Sequence, residues 1–492
     1  MTLREDEDFD RDWRLQLERI FVGPPWMPPR LIAVFGLPLL VYALSLPGGF
    51  ADPFLRASSL AQLLGDTGPS FAQTLTEGRW LVWVWALEAD QISPQGHLWI
   101  ALGLWALVST LLALAIFRDD PLPGRAMLTA LALSLAPPLA GQFLAPPEIV
   151  PAFAVMAVYA LLLLLVPMSE ARVALLILVP LGMAAAAFVP LALFAMLMVA
   201  GSDREPGRGK MIDGLAMLLG GLVVGAALLF VLNLAVHGVV GFGHAGAAAG
   251  LPPDGPLTDV LLPWLIQTAH GHYGPWPFLG VGSVALALVL LFLARASEAD
   301  RLLGAFGLML VAAALQTAIS GRLPTYAESL PLWILAVGAL ALAARKGRLA
   351  LASPVLMVGL AVGASQGLSE WRWTLAHTRV YQDTTAEIAS DVAEAVRDIA
   401  GPIVIAGSPG TVAGAEVLTE FRGLALRLSL LTGRRVVQCP DPDPLCAAHR
   451  ATLAQMPPRP LDGWLRLDLG EAGETALLLR LPDGVFAPVQ AR

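Results

Sequence analysis

Asp52, Arg56, Arg79 and Arg322 are the residues whose types and spacing could do chemistry in this chain. Asp52 follows directly on an apolar run, and Arg56 lies four residues on, one turn away if the segment is helical. Further along, Glu77-Gly78-Arg79-Trp80-Leu81-Val82-Trp83-Val84-Trp85 places a second guanidinium at the head of an aromatic segment. Arg322 belongs to a turn running from Ser320 through Pro324 to Glu328. A carboxylate can accept a proton, and a guanidinium matches phosphate oxygens bidentately. The plainer alternatives are a local Asp52–Arg56 ion pair, headgroup anchoring by Arg322, and an aromatic belt made by the tryptophans. His270, His272 and Tyr273, between Trp264 and Trp276, form a third polar group. That pattern suits a divalent cation, an aromatic platform for a sugar ring, or interfacial anchoring.

The elements that must position these residues are apolar. Of 492 residues, 56% are hydrophobic and 14% charged, against about 25% charged in soluble domains. Charge is costly in hydrocarbon, so the deficit points to lipid as solvent. With about 20 apolar residues per span, candidate spans fall near 31–48, 96–117, 126–143, 149–167, 172–187, 189–201, 212–236, 277–295, 302–320, 329–344 and 349–367. The fifth and sixth adjoin at Val189-Pro190 and read alternatively as one kinked helix; loop charge separates them. With eleven spans and an inner N-terminus, Arg118, Arg125, Arg172, Arg204, Arg208, Lys210, Arg295, Arg301, Arg345, Lys346 and Arg348 all lie inside. The outer loops before the tail keep only Arg56, Arg79 and Arg322. Merging the two spans would invert every later loop and destroy this positive-inside asymmetry.

The expected fold is therefore an α-helical polytopic membrane protein of about eleven spanning helices, followed by a small C-terminal α/β domain outside the cytoplasm. Residues 1–30 read as a cytoplasmic amphipathic segment with Arg11, Arg14 and Arg19, and not as a signal peptide; residues 31–367 form the membrane domain. Outer loops 49–94 and 237–276 are long for connectors, which points to function. The three tryptophans after Arg79 fit a helix lying flat at headgroup depth.

Residues 368–492 alternate helix and strand: a helix near 383–399, a strand at 402–406, a helix near 415–431, a strand at 435–438 and strands near 463–467 and 475–480. The Gly407-Ser408-Pro409-Gly410 turn lacks the Lys-Ser/Thr ending of a phosphate-cradling loop. Cys439 and Cys446 flank a stiff Pro-Asp-Pro-Asp-Pro-Leu loop in this outer part, which favours a disulfide over a pair of metal-binding or free thiols. No Lys/Arg block is long enough to neutralise a run of phosphates, so nucleic acid is not an expected partner.

An acidic residue just past the first span, a long amphipathic outer loop, many helices and an outer C-terminal domain together resemble the GT-C class of glycosyltransferases. More narrowly, Asp52 to Arg56, then Gly78-Arg79-Trp80, and the late Arg322 turn resemble the bacterial O-antigen glucosyltransferase (Gtr-type) family. That family has paired acidic residues where this chain has Ala51-Asp52, a single carboxylate. The resemblance implies transfer of a sugar from a polyprenyl-phosphate carrier to a glycan acceptor, at the periplasmic face of a bacterial inner membrane. It implies Asp52 as the base for the acceptor hydroxyl, with inversion at the anomeric carbon. Arg56, Arg79 and Arg322 would meet the charge on the departing lipid phosphate. Trp80, with Trp83 and Trp85, would seat the loop against the lipid tail, and His270, His272 and Tyr273 would contact substrate. No metal site is assigned, a divalent cation being the one cofactor left open. Two other functions fit a chain of this kind: a flippase or transporter of a lipid-linked glycan, and a non-catalytic polysaccharide-assembly protein. No internal repeat is evident and the spans are nearly free of ionisable side chains, which disfavours transport.

Overall fold

The computed structural model describes residues 27–45, 74, 78–88, 92, 94–118, 123–144, 146–201, 208–240, 285, 288–289, 297–320, 326–346, 354, 356–372, 390, 393–394, 403–405, 428, 431–432, 436–438, 464–469 and 475–480. The N-terminal amphipathic segment, most of both long loops, nearly all of the expected span 277–295 and the two cysteines lie outside them.

Apolar runs punctuated by proline give helices of uneven length. In chain order these are α1 (Met27–Ser45), α2 (Trp80–Glu88), α3 (Pro94–Ile116), α4 (Pro123–Ser134), α5 (Pro146–Leu165), α6 (Met168–Val173) and α7 (Leu175–Met183). They continue with α8 (Val189–Ala200), α9 (Arg208–His237), α10 (Ser297–Ser320), α11 (Leu330–Lys346) and α12, residues 356–372. Three described stretches are both long and apolar enough to cross a membrane: Gly96–Ile116, Met211–His237 and Ala299–Gln316. Shorter apolar helices pack among them, and the fold is that of a polytopic helical membrane protein.

Lipid as solvent shows most directly on α9. Ile212, Leu219, Val223, Val231 and Leu234 are all at least half exposed, and Val223 reaches 70%. An apolar face of that extent would be a severe liability in water; facing hydrocarbon it costs nothing. The side turned to the protein is cut close. A Cβ on Gly221 would meet the Leu175 carbonyl oxygen at 2.7 Å and Val179 Cβ at 2.8 Å, so α7 and α9 approach backbone to backbone.

The opposite extreme is α8. All of its twelve residues except Leu191 are buried, and it packs against α3, α5, α7, α9, α10 and α11. A helix apolar all round belongs inside a bundle.

Two expected single spans are each broken. The run 126–143 divides into α4 and a 3-10 stretch, Pro137–Leu144, because Pro137 steers Ala136 away from helical geometry. The run 172–187 becomes α6 and α7, with Ala174 between them and turns after Met183.

The end of α4 lies among other helices, where Pro137 and Pro138 remove the N–H groups that the Leu133 and Ser134 carbonyls would meet in a continuing helix. Within the following turn the Leu133 and Ala136 oxygens still accept from Ala136 and Leu139 N–H, at 3.1 Å each. Side chains from four helices supply further donors. Tyr42 Oη of α1 donates to the Ser134 oxygen at 2.7 Å. Trp105 Nε1 of α3 is shared between the Leu133 and Ser134 oxygens, at 3.1 Å each. Trp333 Nε1 of α11 donates to the Ala132 oxygen at 3.0 Å, and Trp371 Nε1 of α12 to the Ala136 oxygen at 3.3 Å. Tyr42 and Trp371 stack with centroids 5.5 Å apart, completing the knot.

The C-terminal unit is described through its strands. β1 (Ile403–Ile405) and β2 (Val436–Gln438) pair in parallel, Val404 opposite Val437. Residues 428, 431 and 432 between them are helical, the crossover that parallel pairing needs. β3 (Trp464–Leu469) and β4 (Thr475–Arg480) form an antiparallel pair with Leu467 opposite Leu477, and β4 comes close to β1.

Trp105→Phe should lower stability by about 0.5–1.5 kcal/mol, because the shared indole bond is lost while the Leu133 oxygen keeps the Ala136 N–H and the Ser134 oxygen keeps Tyr42 Oη. Trp99→Phe, at a 39% exposed position on the same helix, should be near neutral. Thermal unfolding of both variants in detergent compares them; equal losses would refute the carbonyl-capture account.

Candidate functional site

Arg79 and Trp80 are the expected site residues that the structure describes. They stand in a turn forced by glycine. Gly78 has φ +70°, a conformation a Cβ disfavours. Its N–H donates to the Thr74 carbonyl at 3.1 Å and its own carbonyl accepts from Trp80 N–H at 2.8 Å. Arg79, half-buried, then heads α2, its carbonyl accepting from Trp83 N–H at 3.2 Å. An early N–H of α2 has no partner within the helix; Leu81 N–H donates to the Ala184 carbonyl in the turn after α7, at 2.9 Å.

The side chains hold this turn against the C-terminal end of α9. Trp80 Nε1 donates to Asn233 Oδ1 at 3.0 Å, and Asn233 is fully buried on a helix otherwise largely open to lipid. One turn on, His237 Nε2 lies 2.9 Å from Thr74 Oγ1, and its ring sits 5.5 Å from the Trp80 indole. Trp83 meets Trp80 edge-on at 6.0 Å. Ala184 and Leu229 close the apolar side. Trp80 is therefore buried against protein, only 8% exposed, and not turned toward a lipid tail. Burying its ring against Leu229 and its N–H against Asn233 satisfies both halves of an amphipathic side chain at once. Further along α2, Trp85 sits edge-on to His97 at 5.9 Å.

Asp52, Arg56, Arg322, His270, His272 and Tyr273 lie outside the described residues, as do Cys439 and Cys446. Among the described residues no three His, Cys, Asp or Glu gather as a metal would require.

Three polar residues of this region escaped the reading of the sequence: Thr74, Asn233 and His237. Asn233 and His237 did carry a signal, being polar residues four apart near the end of an apolar helix, and hence on one face. Gln316 and Glu328 were missed as well. Gln316 Nε2 donates to Glu328 Oε2 at 3.0 Å, joining the last part of α10 to the 3-10 turn Tyr326–Ser329 before α11. The turn after α7 serves both places: Ala184 holds α2, while Ala187 and Phe188 line a pocket with Gln316 and Glu328.

No family model matches this chain, and no curated protein matches it. Among solved structures it is similar to the crystal structure of ArnT from Cupriavidus metallidurans in the apo state, at 17% identity and a TM-score of 0.46, covering 83% of this chain and 85% of that one. A likeness of this degree carries no argument about activity.

Asn233→Leu keeps the volume and removes the acceptor for Trp80. It should cost about 1 kcal/mol, and much less in a Trp80→Phe background. A double-mutant cycle on unfolding in detergent measures this; strict additivity would mean the bond does not hold the turn.

Proposed function

We propose that this chain is a GT-C type membrane glycosyltransferase, a glucosyltransferase of the O-antigen kind. In this reading it moves a sugar from a polyprenyl-phosphate carrier to a cell-surface glycan at the periplasmic face of the inner membrane. Eleven spans, an inner N-terminus and a periplasmic domain over 368–492 are part of the same reading. The observation that carries it is the separation of charge along the sequence. Basic residues crowd the inner loops, and the few polar residues outside fall beside the membrane surface with Asp52 and three arginines among them. The fixed turn that carries Arg79 supports it, because a guanidinium meant to meet a developing charge acts best when held in place beforehand.

The chemistry is a displacement at the anomeric carbon. Asp52 accepts the proton of the acceptor hydroxyl as its oxygen attacks, and the bond from the anomeric carbon to the lipid phosphate breaks with inversion. The phosphate leaves as an anion, met by Arg56, Arg79 and Arg322. The carrier's tail stays in lipid while its head reaches the outer surface.

In a deletion strain, Asp52→Asn should be expressed normally and fail to restore glucosylation of the surface polysaccharide; full restoration would remove Asp52 from the reaction. Arg79→Ala should reduce transfer about 100-fold or more, with unfolding little changed. For Arg322→Ala, weaker use of the lipid-linked donor is expected, and unchanged donor dependence would leave it as a headgroup anchor.

A further inference from the structure

We propose that His237, the last residue of α9, is a positioning residue for Arg79. Through Thr74 it fixes the chain that leads into Arg79, as Asn233 fixes the chain that leaves it through Trp80. What Arg79 is held for rests on the function proposed above, in which its guanidinium meets the departing lipid phosphate.

The path from His237 to Arg79 is short and made of hydrogen bonds. His237 Nε2 lies 2.9 Å from Thr74 Oγ1, and Thr74 is fully buried. The Thr74 carbonyl accepts from Gly78 N–H at 3.1 Å, so the place of Thr74 is passed to the residue just before Arg79. On the other flank, Trp80 Nε1 donates to Asn233 Oδ1 at 3.0 Å. Asn233 and His237 stand four apart on one helix, so a single turn of α9 grips the chain on both sides of the arginine. The His237 ring also lies 5.5 Å from the Trp80 indole, which links the two grips directly.

The end of α9 is itself fixed. Gly238 has φ +69° and its N–H donates to the Leu234 carbonyl at 3.1 Å, the left-handed termination that glycine allows. His237 is thereby the last helical residue, and its ring leaves the helix at a set height. A threonine hydroxyl both donates and accepts, and a neutral imidazole has one nitrogen for each role. The pair can therefore bond whichever ring nitrogen carries the proton. Arginine has a long side chain, and a loose main chain beneath it would add to what must be ordered as charge develops on the phosphate. With the main chain set beforehand, the guanidinium acts more in the transition state than in donor binding. In this role His237 meets no reacting atom and acts only through Arg79.

The plainer account is that His237 only ties α9 to the chain before α2, and the experiment separates the two. The full chain in lipid nanodiscs is given radiolabelled polyprenyl-phosphate glucose at varied concentration, with deletion-strain membranes as acceptor. His237→Leu should lower kcat about tenfold and move the donor KM less than about threefold. Thr74→Val, which removes the same bond from the other side, should match it. His237→Gln, whose amide can still meet Thr74 Oγ1, should recover most of the loss. In an Arg79→Ala background, His237→Leu should add less than about a twofold loss, because no guanidinium is left to place. Full kcat in both single variants, or an undiminished loss in the Arg79→Ala background, overturns the proposal. Amide hydrogen exchange, read by mass spectrometry, is independent of the reaction. His237→Leu and Thr74→Val should speed exchange at Gly78 and Trp80 about tenfold and leave α3 as it was. Unchanged exchange at those two amides, or a rise spread equally through α3, also overturns it. No transfer by the parent chain, with exchange at those amides still raised by the variants, would instead sink glucosyl transfer and leave His237 as the holder of Arg79.

Discussion

Backbone carbonyls deprived by proline of their helical partners, at the end of a helix that stops inside the bundle, govern the arrangement of the membrane unit. In lipid no water can reach them, and each left unmatched costs several kcal/mol. Pro137 and Pro138 end α4 where its last oxygens face other helices. Tyr42, Trp105, Trp333 and Trp371 answer them from α1, α3, α11 and α12. Helices from the beginning, middle and end of the membrane unit are thereby referred to one short stretch of main chain. A phenol or indole suits the task because it brings a large apolar body with a single polar atom at its edge.

The same device recurs at the candidate site. Trp80 buries its ring on Leu229 and gives its N–H to Asn233, so α2 is tied to α9 by one side chain. A backbone bond from Leu81 to Ala184 adds a second fixing point. Between them these contacts give Arg79 a defined location at the start of a helix. Phe188, a single turn's distance along from Ala184, lines the pocket of Gln316 and Glu328. A displacement of that turn would reach both places.

Much of the helical layout was legible because apolar runs survive any detail of packing. The expected runs near 96–117, 212–236 and 302–320 correspond to α3, α9 and α10 within a few residues at most ends. What hydropathy could not show is where an apolar run breaks. The run 126–143 remains apolar straight through Pro137, and only the geometry that proline imposes on Ala136 divides it. At the site, Arg79 and Trp80 stood out as polar and aromatic residues in an apolar setting. Their partners did not, because Asn233 and His237 are about 150 positions away and nothing local connects them. The burial of Trp80 was equally hidden, since tryptophan beside a membrane is at home either at the headgroups or against protein.

The helix α8 has a consequence for how the molecule is made. Twelve residues give a rod of about 18 Å, against a hydrocarbon layer of about 30 Å. Such a segment cannot be a stable membrane resident alone, however apolar it is. Its neighbours α3 and α5 precede it in the chain, while α9, α10 and α11 emerge only after it. During synthesis, then, α8 must wait against its earlier neighbours, half-enclosed, until the later helices arrive. The centre of the bundle is thus among the last parts to be finished, and its completion depends on the ribosome having already passed α11.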